Sequence, residues 1–144
     1  RMRKIEPQKV SLDGKEFLVE AEEKRLFDEA MAIVRASDFP GAASALQNFL
    51  RRYPQSGYGD SARFWLGNAH YGKRELKEAI TMFRTFIANA PDHARVPEAM
   101  LAIANSQAES KDTKSARATL GELLRKYPQS EAAQAGKERL AVLK

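Results

Sequence analysis

The sequence predicts an all-α solenoid of three helical hairpins plus a C-terminal capping helix, and three observations carry that prediction. Apolar residues recur at helical spacing, as in Phe64, Trp65, Leu66, Ala69 and Tyr71, then Ala79, Ile80, Phe83, Phe86 and Ile87. Pro54, Pro91 and Pro128 are separated by 37 residues each. The same 37-residue step links Ala30, Gly67 and Ala104, then Ala42, Ala79 and Ala116, then Leu46, Phe83 and Leu120, then Phe49, Phe86 and Leu123. Small residues coincide with small ones and large with large, so the chain reads as three repeats, about 23–56, 60–93 and 97–130. One hairpin alone cannot bury its apolar face, which is why stacked copies are expected.

The central unit has the form Leu66-Gly67, then Tyr71, then Ala79, then the aromatic Phe83, then Pro91, and this resembles the tetratricopeptide (TPR) pattern. Gly67 is expected where the two helices of that hairpin approach closely, and a bulky residue there would overfill the contact. Two departures from the pattern are His70, where an aromatic is common, and Ala104, where the third repeat lacks the glycine.

Taken in order, residues 1–15 read as an extended leader with a turn at Asp13-Gly14 and no sheet, and residues 16–144 as the repeat domain. The helical period starts at Glu16, with Phe17, Leu18, Ala21, Leu26, Phe27 and Ala30, and predicts a long first helix to Ala36. Asp38 caps the second helix, with Pro40 in its first turn, and Tyr53-Pro54 ends it. Residues 55–59 are a glycine-rich turn, after which Asp60 or Ser61 caps the helix bearing Trp65. Pro91 stops the second repeat, Pro97 starts the fifth helix and Asp112 caps the sixth. Ser130 caps a last helix over 131–143, whose polar outer face suits a solenoid end.

Composition narrows the function. The 144 residues suit one domain and contain no cysteine, so neither a disulfide nor a thiolate metal site is available. No apolar run approaches the ~20 residues of a membrane span. The opening Arg1-Met2-Arg3-Lys4 reads as a cloned or processed fragment rather than a natural start, so any targeting signal would lie upstream. Net charge is +5 and the pI about 9.6, but acids interleave with the bases, as at 73–78, so no one-sided basic patch and no nucleic-acid binding are expected. The two histidines, His70 and His93, have no partner motif for hydrolysis or metal binding, and the glycines fit neither phosphate loop. His70 reads as a core or boundary residue and His93 as a turn residue. A catalyst is not expected, and no cofactor or metal is implied.

In a TPR stack the first helix of each hairpin lines a concave groove. Mapped by the 37-residue step, this resemblance places Phe27 and Met31, then Phe64, Asn68 and Tyr71, then Leu101 and Asn105 in the groove. Asn68 and Asn105 are equivalent, and a primary amide can pair with the backbone of an extended partner. Phe64 and Tyr71 read as anchors of the kind that dominate interfaces, with Trp65 the core member beside them.

The leader Asp13-Gly14-Lys15-Glu16-Phe17, the words Arg52-Tyr53-Pro54-Gln55-Ser56-Gly57-Tyr58, Trp65-Leu66-Gly67-Asn68-Ala69 and Ala90-Pro91-Asp92-His93, and Tyr127-Pro128-Gln129-Ser130-Glu131-Ala132-Ala133 resemble the C-terminal TPR domain of the YbgF/CpoB family. That family comprises periplasmic accessory proteins of the bacterial Tol–Pal system. The resemblance covers about residues 10–144. It implies a noncatalytic periplasmic module of a Gram-negative bacterium that binds TolA. Such a module coordinates outer-membrane constriction with septal peptidoglycan synthesis during division, with the peptidoglycan synthase complex as a further partner. It also implies an upstream signal peptide and an oligomerising coiled coil, with this piece monomeric and not inserted in a membrane. The alternative is a generic TPR scaffold in another envelope complex, such as outer-membrane protein assembly.

Overall fold

The computed structural model describes residues 7–143. A two-stranded antiparallel hairpin, β1 (Gln8–Leu12) and β2 (Lys15–Val19), precedes seven helices: α1 (Ala21–Arg35), α2 (Phe39–Arg52), α3 (Gly59–Gly72), α4 (Leu76–Asn89), α5 (Val96–Glu109), α6 (Thr113–Lys126) and α7 (Glu131–Val142). The helices pair as α1–α2, α3–α4 and α5–α6, with α7 closing the last pair, which is the TPR arrangement expected from the repeats. Successive first helices approach one another, α1 with α3 and α3 with α5, while α2, α4 and α6 do not meet to the same extent. The stack therefore curves with α1, α3 and α5 inside.

The start of the chain differs from the sequence reading. The leader's Gln8–Leu12 is paired, not a free extended tail, residues 1–6 of that reading lie outside the described residues, and the helix begins at Ala21, not Glu16. The Asp13-Gly14 turn, with φ of 53° and 80°, folds β1 back on β2 and pairs Val10 with Phe17. Val10, Leu12, Phe17 and Val19 share one face of the hairpin and pack on the first core, while Leu18 points away and is exposed. A run such as Phe17-Leu18-Val19 fits either a helix or a strand by pattern, and only the pairing partner decides. The hairpin also explains two glycines and a histidine. Phe17 lies against Gly57, where any Cβ would fall 2.3 Å from its ring. Asp13, beside Gly14 in the turn, contacts His93 Nε2 at 3.2 Å, and His93 packs edge-on against Phe86.

The core forms where the 37-residue step predicts. Ala30, Gly67 and Ala104 are buried opposite Leu46, Phe83 and Leu120, with Phe49, Phe86 and Leu123 beneath them. Gly67 faces the Phe83 ring, which a Cβ would approach to 2.9 Å.

The turns inside the three hairpins are equally periodic. Ser37, Arg74 and Lys111 adopt left-handed φ of 59°, 65° and 68°. The next amides, of Asp38, Glu75 and Asp112, donate back to Ile33, His70 and Gln107 carbonyls at 3.3, 2.9 and 2.9 Å. That is a Schellman ending made without glycine. Asp38 and Asp112 then cap the following helices through Gly41 N and Ser115 N, and Ser130 caps α7 through Ala133 N. The caps expected at Asp60 or Ser61 are not made: α3 starts at Gly59, Ser61 is buried, and Asp60 turns to Arg63 and Lys15.

Candidate protein-binding groove

The concave face is built from α1, α3 and α5, and it does not use all the side chains that the repeat mapping assigned to it. Phe27 and Phe64 are 5% and 3% exposed and belong to the core. Phe27 stacks on Tyr58 with ring centroids 4.1 Å apart, and Phe64 packs against Phe83 and Phe86. Both rings turn into the core because Tyr58 stacks on Phe27 and the α4 phenylalanines reach Phe64. Trp65, read as core, stands at the core's edge. It is half-buried, touches both core clusters, and stands edge-on to Phe64, with the Arg95 guanidinium 5.3 Å from its ring.

Met31, Asn68, Tyr71, Leu101 and Asn105 are all partly exposed. Leu101 lies against Gly136 of α7, so the capping helix covers much of it. Asn68 donates from Nδ2 to the Phe64 carbonyl at 3.1 Å, which commits part of its amide to its own helix. Asn105 makes no side-chain hydrogen bond among the described residues, and is the freer of the two for a partner backbone.

Tyr71 is not a loose anchor. Its hydroxyl donates to Glu109 on the neighbouring repeat, and Arg74 pairs with the same carboxylate at 2.5 Å. Burial, and then the bond to Glu109, pushes the Tyr71 phenol above its ordinary range. The Tyr71 hydroxyl, and behind it Arg74, holds the Glu109 carboxyl below the ordinary carboxylate range against the opposing effect of burial. The triad ties α3 to α5 across the inner face and fixes where the Tyr71 ring stands.

Beside it opens a cavity of about 260 Å³ between the first two hairpins, lined chiefly by Val34, Phe39, Trp65, Asn68 and Tyr71. Phe39 forms one wall, its ring lying where a Cβ on Gly72 would come within 2.4 Å. The mapping from first helices missed Phe39 because it belongs to the second helix of its hairpin, and missed Trp65 by assigning it to the core. The sequence offers only the glycine itself at 72; its φ, which is not positive, then marks a close neighbour and not a turn. An apolar cavity with an amide at its rim suits an apolar side chain carried on a polypeptide.

Both histidines are engaged by neighbouring groups. His70 is buried and its Nδ1 lies 2.7 Å from Glu75, while His93 accepts the Arg95 amide at Nδ1 and meets Asp13 at Nε2. Among the described residues no cluster of three potential metal ligands exists, and no helix is long and apolar enough to cross a membrane.

Charge is not evenly interleaved, contrary to the sequence reading. α2, α4 and α6 carry eight basic residues (Arg51, Arg52; Lys77, Arg84; Lys114, Arg117, Arg125, Lys126) against two acidic ones, Glu78 and Glu122. α1, α3 and α5 carry four basic and seven acidic residues. Acid–base pairs such as Lys77-Glu78 are adjacent in sequence, but the excess of bases sorts onto the outer helices.

Comparison with known proteins agrees with this architecture. The Arabidopsis OM64 TPR domain superposes with a TM-score of 0.68 at 13% identity, covering 83% of this chain and 93% of that one. The TPR2B domain of yeast Sti1, in its pHsp70 complex, gives 0.67 at 19% identity, covering 83% and 94%. At these identities the likeness is one of fold. A stretch of 57 residues is 39% identical to the cell division coordinator CpoB of Pseudomonas putida, and supports the resemblance to the YbgF/CpoB TPR domain. It covers 40% of this chain and 21% of the relative, so the match spans about a fifth of the length of CpoB. A family model matches residues 19–144, from the last residue of β2 to the C-terminal end, and the chain belongs to that family: YfiO, outer membrane lipoprotein.

Proposed function

We propose that the chain is a noncatalytic protein-interaction module of the periplasm that binds TolA. In that role it helps coordinate outer-membrane constriction with septal peptidoglycan synthesis during division, with the peptidoglycan synthase complex as a further partner. The observation that carries the reading is the concave face itself, where the cavity beside Trp65 and Tyr71 opens next to Asn68. The identity with CpoB supplies the biological setting. The partner is a segment of polypeptide that seats an apolar side chain in the cavity and pairs its backbone with Asn68 and Asn105.

A second reading is a scaffold of another envelope complex, such as one assembling outer-membrane proteins. The family match to an outer membrane lipoprotein favours it. The same groove would then hold a different polypeptide.

A calorimetric titration with the soluble periplasmic part of TolA, at two salt concentrations, tests the first reading. Saturable one-to-one binding that survives added salt and falls about tenfold in Asn68→Ala/Asn105→Ala is expected, tenfold corresponding to about 1.4 kcal/mol. Binding that disappears at moderate salt would assign the contact to surface charge. Absence of binding by a folded chain would favour the scaffold reading.

A further inference from the structure

The outer face carries a second cleft, of about 310 Å³, between α4, α5 and α6. Its floor is apolar, with Ile87, Val96, Met100, Ile103 and Tyr127, and Arg84, Glu122 and Lys126 stand at its edge. One difference between the repeats removes bulk from this place. The 37-residue step places Thr119 where the preceding repeat has Met82. Met82 packs on the first core cluster and fills the space between repeats one and two. Thr119 is shorter, and its hydroxyl is drawn aside to donate to Gln107 Oε1 at 2.7 Å.

The cleft also sits in the row of outer helices with the excess of bases. Lys126 is paired with Glu122 at 2.9 Å, whereas Arg84 is exposed and makes no ion pair among the described residues. Arg125, one residue before Lys126, is likewise exposed and unpaired among them. An apolar slot for one or two side chains inside a basic surround is complementary to a polypeptide whose apolar residues are flanked by acids. A lipid surface or a nucleic acid would satisfy the charge but leave the slot empty.

We infer that this cleft is a second interaction surface, on the face opposite the groove, which takes an acidic polypeptide segment by an apolar side chain. The mechanism is the usual division of labour at an interface: the buried apolar anchor supplies most of the affinity, and the basic rim steers encounter and selects against basic partners. A partner held here leaves the concave groove free, so one module can join two chains.

The test uses a fluorescein-labelled peptide of about a dozen residues, with leucines at i and i+4 and glutamates between, followed by anisotropy. Saturable binding is expected, weakened about tenfold or more by Thr119→Met, which installs the side chain that the equivalent position already accommodates. The Arg84→Ala/Lys126→Ala variant should weaken it further at low salt and flatten its salt dependence, whereas Asn68→Ala/Asn105→Ala should leave it unchanged. Circular dichroism checks that each variant is folded, and methyl NMR of Ile87, Met100 and Ile103 locates the peptide independently of any variant. The inference is overturned if the peptide does not bind, or if a leucine-to-serine version binds equally well. It also fails if Thr119→Met has no effect and those methyls do not shift, or if phosphatidylglycerol vesicles or single-stranded DNA bind with the same residue dependence while the peptide does not. TolA binding through the groove should fall about tenfold in Asn68→Ala/Asn105→Ala and stay unchanged in Thr119→Met, so the two surfaces fail separately.

Discussion

The second repeat and its neighbours solve one packing problem in two ways. In repeats one and three the small position is alanine and the facing position leucine, Ala30 with Leu46 and Ala104 with Leu120. In repeat two a methyl has moved across the interface: Gly67 has none, and Phe83 fills the space. The hairpin turns differ in the same way. Asp38 and Asp112 cap the helices that follow them, whereas Glu75, at the equivalent place, makes no cap and its carboxylate goes to the buried His70 instead. Each repeat keeps total volume and polar satisfaction while the particular residues are exchangeable, provided that partners change together.

Breaking one partner alone should therefore be severe. Gly67→Leu places a branched side chain against a ring already 2.9 Å from a bare Cβ. It is expected to destabilise the chain by about 3 kcal/mol, read as a lower urea midpoint. A stability unchanged within error would refute the close contact of α3 with α4. A finer cut is the cycle of Gly67→Ala and Phe83→Leu. Each single change should cost about 1–2 kcal/mol, the first by overpacking and the second by a cavity, but together they recreate the pairing of the flanking repeats. A favourable coupling of about 1 kcal/mol is expected, and strict additivity would mean that the two sites relax independently.

What the sequence showed and did not show follows from the same logic. The fold was legible because burial recurs with the 37-residue step, and periodic burial is a property of sequence pattern. The β-hairpin was not legible, because Phe17, Leu18 and Val19 carry no period long enough to separate strand from helix, and their partner strand is outside the repeat. The site was half legible. Asn68, Tyr71 and Asn105 stay partly exposed on α3 and α5, but Phe27 and Phe64 are core and Trp65 stands at the core's edge. Those reversals arise from contacts no repeat predicts: Tyr58 stacked on Phe27, and Phe83 and Phe86 reaching Phe64. The charge segregation was hidden for a simpler reason, since acidic or neutral first helices alternate with basic second helices along the chain and no short window shows the excess.

The caps give the next contrast. Asp112→Ala removes a cap of Ser115 N and should lower stability by about 1 kcal/mol near neutral pH. Glu75→Gln instead keeps size and tests the link to His70. His70, followed by Lys73, holds the Glu75 carboxyl below its ordinary value of 4.5. Its contribution is thus fully present above that value and is lost as pH falls through the depressed folded value. The acid limb of the stability curve should be shallower in Glu75→Gln than in the native chain, by thermal melts between neutral pH and pH about 3. An identical acid limb would show that the His70 contact has no energetic consequence.

The smallest effect is expected at the left-handed residues, and it separates the repeats again. A non-glycine residue in this conformation is strained, while glycine accepts it at the expense of unfolded-state entropy. Lys111 is exposed and makes no ion pair among the described residues, so Lys111→Gly should stabilise by about 0.5 kcal/mol, seen as a higher melting temperature. Ser37→Gly should behave alike. Arg74→Gly relieves the same strain, with φ of 65°, but removes the guanidinium that pairs with Glu109 and lies over the Tyr71 ring. Its net effect should be near zero or unfavourable. Equal gains at all three positions would mean that Arg74 adds nothing to the link between repeats two and three, and that the Tyr71 hydroxyl alone holds Glu109 in place.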